Sequence, residues 1–194
     1  DPDPLRPSRF RLSRRHEGAL ARHSPRAGRK RQPIHSIRSA SALAPAWALV
    51  GVERGDKYQK HVESIPGVEA FYSGALDQVP GTFHLITMMH VLEHIPSPVS
   101  LLSDLRKRLE PGGMLLIEVP DLNQTPFDLV VADHSSHFTL KALTNVVTAA
   151  GYTVVTESER IIPKEMTLLA RPRDDADPPP GGLESTESYS PAAA

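Results

Sequence analysis

The sequence predicts an α/β fold built on a largely parallel sheet. Three observations carry this expectation. Apolar runs of strand length alternate with stretches whose apolar residues recur at helical spacing. The clearest run, Trp47-Ala48-Leu49-Val50-Gly51-Val52-Glu53, is nearly all apolar and closes on an acid, as a strand buried on both faces does. Aperiodic polar stretches flank the patterned part at both ends, leaving about 130 residues for one core.

The elements follow in order from residue 43. After the strand that ends at Glu53, the polar stretch Arg54 to Ser64 is long enough for a short helix. Val68 to Tyr72 is a second strand and Phe83 to Met89 (FHLITMM) a third. Ser97 to Leu109 places Val99, Leu101, Leu102, Leu105 and Leu109 at helical spacing, with Ser97-Pro98 as cap and first turn. Glu110-Pro111-Gly112-Gly113 stops that helix, and Met114 to Val119 is a fourth strand. Thr139 to Ala150 is an amphipathic helix ended by Gly151, and Tyr152 to Thr156 and Met166 to Ala170 are the last two strands.

The flanks differ in composition. Residues 1–38 hold 11 Lys/Arg against 3 Asp/Glu, whereas the remainder holds 11 against 20. A division follows: a basic leader over residues 1–42, a folded domain over 43–171, and an acidic, Pro-rich tail over 172–194. Leader and tail lack the apolar periodicity needed to offset chain entropy and are expected to be disordered. The leader's arginines invite readings as a nucleic-acid arm or a transit peptide. With Phe10 as its one aromatic it offers no stacking ladder, so nucleic acid is not an expected partner. The favoured expectation is a leader outside the domain, wrongly delimited or out of frame.

The chain has no cysteine, which excludes disulfides, thiolate metal sites and cysteine nucleophiles. Its longest apolar run, near Ala42 to Val52, is too short for a bilayer, so no membrane segment and a cytoplasmic location are expected. His90-Val91-Leu92-Glu93-His94 matches H-x-x-E-H, a zinc-peptidase pattern that needs both histidines on one helical face. A strand precedes it and Pro96 and Pro98 follow, so no helix and no metal site are expected there.

The stretch from Phe83 to Asp121 resembles the fourth strand, following helix and fifth strand of the class I S-adenosylmethionine-dependent methyltransferases. The string HVLEH just after a strand and the turn LEPGG before the next one carry the likeness, which extends over about residues 43–170. The resemblance implies a Rossmann-like sheet with S-adenosyl-L-methionine as cofactor and a small-molecule or sugar-like acceptor. It implies that Glu53 accepts hydrogen bonds from the cofactor's ribose hydroxyls, that Leu76 covers the adenine, and that Met89 and His90 line the cofactor site. Ala75 stands where family members usually carry an acid for the adenine amino group. His134 and His137, in the loop Asp133-His134-Ser135-Ser136-His137, and His94 are the candidate bases for an acceptor that must lose a proton.

One family feature is not recognisable. The first strand and its Gly-x-Gly-x-Gly loop should precede Trp47, yet residues 1–42 hold only Gly18 and Gly28. The sheet is therefore expected to be incomplete at its first strand, with Ile34 to Ala44 as the one substitute in sight. Two functions stand side by side: methyl transfer, or a truncated or degenerate relative without catalysis.

Overall fold

The computed structural model describes residues 9–14, 34–44, 46–74 and 76–174. Among them, seven strands form one sheet: β1 (Arg9–Arg14), β2 (Ala48–Glu53), β3 (Val68–Ser73), β4 (Phe83–Met89), β5 (Leu109–Pro120), β6 (Tyr152–Ser158) and β7 (Glu165–Pro172), in the order β3-β2-β1-β4-β5-β7-β6. The first five run parallel, and β7 is antiparallel to both β5 and β6. The helices are α1 (Ile34–Leu43), α2 (Gln59–Glu63), α3 (Pro98–Arg106) and α4 (Leu140–Ala149).

The alternation of side chains along each strand divides the apolar residues between two faces. Val50 and Val52 of β2 and Ile86 and Met88 of β4 join the larger core with Leu102 and Leu105 of α3 and Leu143 and Val147 of α4. Leu49, Leu85 and Met89 point the other way, into a smaller core with Ile37 of α1 and Val62 of α2. Helices thus cover both faces, as parallel strands demand.

Local chemistry fixes the elements. Thr139 caps α4, its Oγ1 accepting the Ala142 N–H at 3.3 Å. Gly151, at φ +87°, ends that helix in the left-handed region. Ser97 stands at the cap of α3 with Pro98 in the first turn, but its side chain makes no capping bond. The LEPGG segment is a bulge on β5 rather than a turn ahead of it: Leu109 pairs with Phe83 and Met114 with Leu85, so Glu110 to Gly113 loop out of register. A Cβ on Gly113 would lie 2.9 Å from the carbonyl oxygens of both Glu110 and Phe83, so only glycine fits there.

The structure departs from the sequence expectation at the front of the chain. The first-strand position is filled by Arg9–Arg14, which pairs with β2 from Arg9↔Ala48 to Arg14↔Glu53 and with β4 from Phe10↔Leu85 to Ser13↔Met88. The stretch Ile34 to Ala44, the expected substitute strand, forms helix α1 over Ile34–Leu43 instead, with Ile37 buried in the smaller core. The sheet is not interrupted, and the boundary drawn at residue 42 cuts through elements that belong to the fold. The reason is legible: Arg-Phe-Arg-Leu-Ser-Arg is not the continuous apolar run of a central parallel strand, whereas the ladder itself is made by backbone groups of any residue. The tail expected over 172–194 and the remainder of the leader lie largely outside the described residues.

Candidate functional site

In a sheet of this order, side chains at the carboxyl ends of the parallel strands share one edge. The register shows which residues meet there. Glu53, the last residue of β2, pairs with Arg14 at the end of β1 and Ser73 at the end of β3, and Ser13 pairs with Met88 of β4. The Gly74 N–H donates to the Glu53 carbonyl at 2.9 Å, tying the loop that carries Leu76 to the tip of β2. His90 follows β4 at φ +52°, a left-handed turn that sends its N–H to the Glu118 carbonyl of β5 at 2.8 Å. Glu53, Leu76 and His90 therefore stand along one edge of the sheet.

Their side chains differ in what they can do. Glu53 is a buried acid at a strand tip. Leu76 opens a 3-10 turn and packs against the larger core. Met89 packs into the smaller core, so its side chain is committed to packing. Ala75 lies outside the described residues. A carboxylate at a strand tip is chemically able to accept two hydroxyl hydrogens, the pair of donors that a ribose offers. The stretch that would hold the methionine end of the cofactor, after Arg14, is also outside the described residues.

A second group of titratable side chains gathers beyond β4 and β5. His90 lies 3.1 Å from Glu165, 3.4 Å from Glu93 and 3.5 Å from Glu118. Burial alone would lower its pKa, but the carboxylates of Glu118, Glu165 and Glu93 outweigh that and raise it to about 11, so the ring is a cation at neutral pH. Burial pushes the Glu118 carboxyl up, and His90 partly opposes the shift.

The other three histidine-bearing contacts form a chain. HVLEH ends in a short 3-10 turn (Leu92–His94) rather than an α-helix, so His90 and His94 do not share a helical face. His94 donates Nδ1–H to the Asp133 carbonyl at 2.7 Å, since a carbonyl can only accept. Its ring meets His134 edge-on, with centroids 4.7 Å apart. Nδ1 of His134 lies 2.7 Å from Oδ1 of Asp128, and Nδ1 of His137 donates to Oδ2 of the same carboxylate at 2.8 Å. The His134 side chain is 2% exposed and that of His137 24%. The loop is clamped to the turn below it: Ser135 and Ser136 both donate their N–H to the Glu93 carbonyl, at 2.7 and 3.0 Å.

The structure thus brings His94, His134 and His137 into one cluster, and adds Asp128, Glu118 and Glu165, which sequence reasoning did not single out. Glu118 carried a signal, as the one acid in the apolar run Met114 to Val119. Asp128 carried none, because it sits in an irregular turn (Pro126–Val130) with no periodicity. That turn leaves Phe127, Leu129 and Val130 exposed around the buried Asp128, with Phe127 80% accessible. Among the described residues no helix is long and apolar enough to cross a membrane.

Comparison with known proteins gives this geometry a family. A model of the methyltransferase domain matches residues 20–157. The ubiquinone biosynthesis O-methyltransferase of Xanthomonas euvesicatoria pv. vesicatoria (strain 85-10) is 29% identical over 115 residues, covering 59% of this chain and 43% of that protein. Its counterpart in Xanthomonas campestris pv. campestris (strain B100) is 34% identical over 94 residues, covering 48% and 37%. The chain spans about two-fifths of the length of these curated relatives. Among solved structures, the mitomycin 7-O-methyltransferase MmcR superposes with a TM-score of 0.64 at 12% identity, over 88% of this chain and 50% of that one. An O-methyltransferase family 2 protein from Planctomyces limnophilus in complex with apigenin gives 0.64 at 16% identity, over 86% and 50%. With a family model spanning most of its length and a sheet of the matching architecture, the chain belongs to the class I S-adenosylmethionine-dependent methyltransferases.

Proposed function

We propose that this chain transfers a methyl group from S-adenosyl-L-methionine to a hydroxyl of a small-molecule acceptor. The observation that carries the reading is one buried carboxylate, Asp128, gripping two imidazoles, of which His137 reaches the surface. When bound, the cofactor supplies a sulfonium methyl: the acceptor oxygen bonds to that carbon as the carbon–sulfur bond breaks, and sulfur keeps the electron pair.

The chain's own residues hold, orient and deprotonate. Glu53 is the anchor for the ribose, and Leu76 lies in the loop tied to it. His137 turns Nδ1–H toward Asp128, which leaves Nε2 as the basic nitrogen. It takes the hydroxyl proton, while the Asp128 carboxylate balances the imidazolium that forms. His134 and His94 brace the base from below. Exposed Phe127, Leu129 and Val130 offer an apolar rim beside it, which suits an acceptor with a hydrophobic body. The curated relatives named as O-methyltransferases favour oxygen over carbon as the methylated atom.

A second reading, a relative without catalysis, draws on Ala75 and on the stretch between β1 and α1, which holds two glycines, Gly18 and Gly28, ten positions apart and so no Gly-x-Gly-x-Gly pattern. Incubation of the full chain with methyl-labelled cofactor and a panel of phenolic, polyol and sugar acceptors separates the two. Label transferred to an acceptor oxygen, lost in His137→Gln, supports methyl transfer. No transfer to any acceptor, with no binding of S-adenosylhomocysteine, supports the second.

A further inference from the structure

We propose that Glu93, His94 and His134 form a binding site for one divalent first-row transition-metal ion, of the Zn²⁺ or Co²⁺ kind, beside the acceptor-binding end of the sheet. The observation that points to a ligand is Glu93. The residue is 0% exposed, and both oxygens of its carboxylate are buried without a hydrogen bond. Its ionic contacts, His90 Nδ1 at 3.4 Å and His94 Nε2 at 3.7 Å, are longer than a hydrogen bond of ordinary length and both fall on Oε1.

Two imidazoles converge on that carboxylate from different segments. One ligand atom from each of Glu93, His94 and His134 lies within 4.8 Å of the others. Ligands about 2.0–2.1 Å from a tetrahedral ion stand about 3.3 Å apart, so small rotations of the side chains close the site. In each histidine Nδ1 stands beside an oxygen of another residue, the arrangement common around metal-ligating imidazoles. His94 Nδ1 donates to the Asp133 carbonyl, and His134 Nδ1 rests 2.7 Å from Asp128. The bond from His94 fixes its tautomer, with the proton on Nδ1, as the oxygens behind metal-ligating histidines do. The two N–H bonds from Ser135 and Ser136 to the Glu93 carbonyl lock the segments in register, so the site needs no large rearrangement.

Charge argues for a cation too. Three carboxylates, Glu93, Glu118 and Glu165, lie within 3.5 Å of the His90 imidazole, so the neighbourhood of the site is rich in acidic groups. Two nitrogens and one carboxylate select a transition ion over Ca²⁺ or Mg²⁺, which prefer all-oxygen shells. The arrangement is not that of the H-x-x-E-H peptidases, because the second histidine comes from another loop and His90 is turned toward Glu118 and Glu165. Three protein ligands leave a coordination position open for an acceptor hydroxyl, whose proton would then leave more readily. That role rests on the methyl-transfer reading above; the site itself does not.

The test uses the full chain, dialysed against chelator and confirmed folded by circular dichroism. Co²⁺ is titrated with visible absorbance as readout, and Zn²⁺ by calorimetry. The expected result is saturation at one equivalent with micromolar or tighter affinity and the visible bands of nitrogen-ligated Co²⁺. Glu93→Gln and His134→Asn should each weaken binding at least tenfold, while His84→Ala, at an exposed position, should not. No saturable band in the wild type up to millimolar Co²⁺ overturns the proposal. Unchanged binding in folded Glu93→Gln and His134→Asn overturns it as well. S-adenosylhomocysteine is titrated into the metal-free protein in parallel, so loss of the metal site and loss of the methyltransferase reading give separate results.

Discussion

Nδ1 of His137 donates to Oδ2 of Asp128 at 2.8 Å, joining a largely buried imidazole that still reaches the surface to a carboxylate that is itself buried. The bond decides which nitrogen of the ring can act as base. Asp128→Asn keeps the shape but offers an amide that can present its N–H to the ring, favouring the wrong tautomer. The turnover of methyl transfer should fall by about 10²-fold or more, with the acceptor KM much less affected. Steady-state kinetics with an acceptor identified from the panel checks this, and an unchanged turnover would remove His137 from the base role.

Glu53 should matter for the cofactor rather than for the acceptor. Glu53→Gln replaces charge-assisted bonds to the ribose, worth about 1.5–3 kcal/mol, with neutral ones. The gain in Tm that S-adenosylhomocysteine confers should shrink accordingly, equivalent to roughly a tenfold or greater loss of affinity. A gain equal to that of the wild type would show that the tip of β2 does not meet the ribose.

Tyr152 links the antiparallel end of the sheet to α3. Its buried hydroxyl donates to the Leu102 carbonyl at 3.0 Å. Tyr152→Phe removes this bond, while the carbonyl keeps its place in the helix ladder, and should cost about 0.5–1.5 kcal/mol, read from denaturant melts. Burial raises the phenol pKa, with Arg106 partly opposing. The folded state therefore holds its proton where the unfolded chain, near pH 10, has begun to release it. The Tyr152 contribution is complete below pH 10 and is lost as pH climbs through the folded value. An alkaline fall in stability beginning near pH 10, flatter in Tyr152→Phe, is the expected result.

Gly113 is a geometric requirement. Gly113→Ala would press a methyl against two backbone carbonyls, which cannot move without disturbing the β4–β5 ladder. A loss of at least about 1–3 kcal/mol is expected. Gly55→Ala, at a position with nothing within 4 Å, should stay within about 0.5 kcal/mol of the wild type.

Most of this fold was legible because most strands announce themselves. FHLITMM and MLLIEV are apolar runs bounded by turn residues, and the observed strands Phe83–Met89 and Leu109–Pro120 contain them. The helix TLKALTNVVTAA carries both its cap and its stop in the sequence, and α4 runs from Leu140 to Ala149 between them. The central strand Arg9–Arg14 was not legible, because its place rests on backbone pairing to β2 and β4 and not on an apolar pattern. The histidines of the site could be named from residue type and the positions after strands. Asp128, which positions two of them, could not, because its contacts with His134 and His137 are set by a tertiary turn. Glu165 lies 72 positions after Glu93, and only the antiparallel return of β7 beside β5 brings it to His90.

The central claim is that the carboxyl tips of β2, β3 and β4 hold one adenosyl group next to the histidine cluster. Calorimetric titration of the full chain with S-adenosylhomocysteine tests it most directly. A single saturable site, with affinity in the micromolar range and a matching rise in Tm, is the predicted outcome. A folded protein that gives no binding heat and no gain in Tm at millimolar ligand would contradict it.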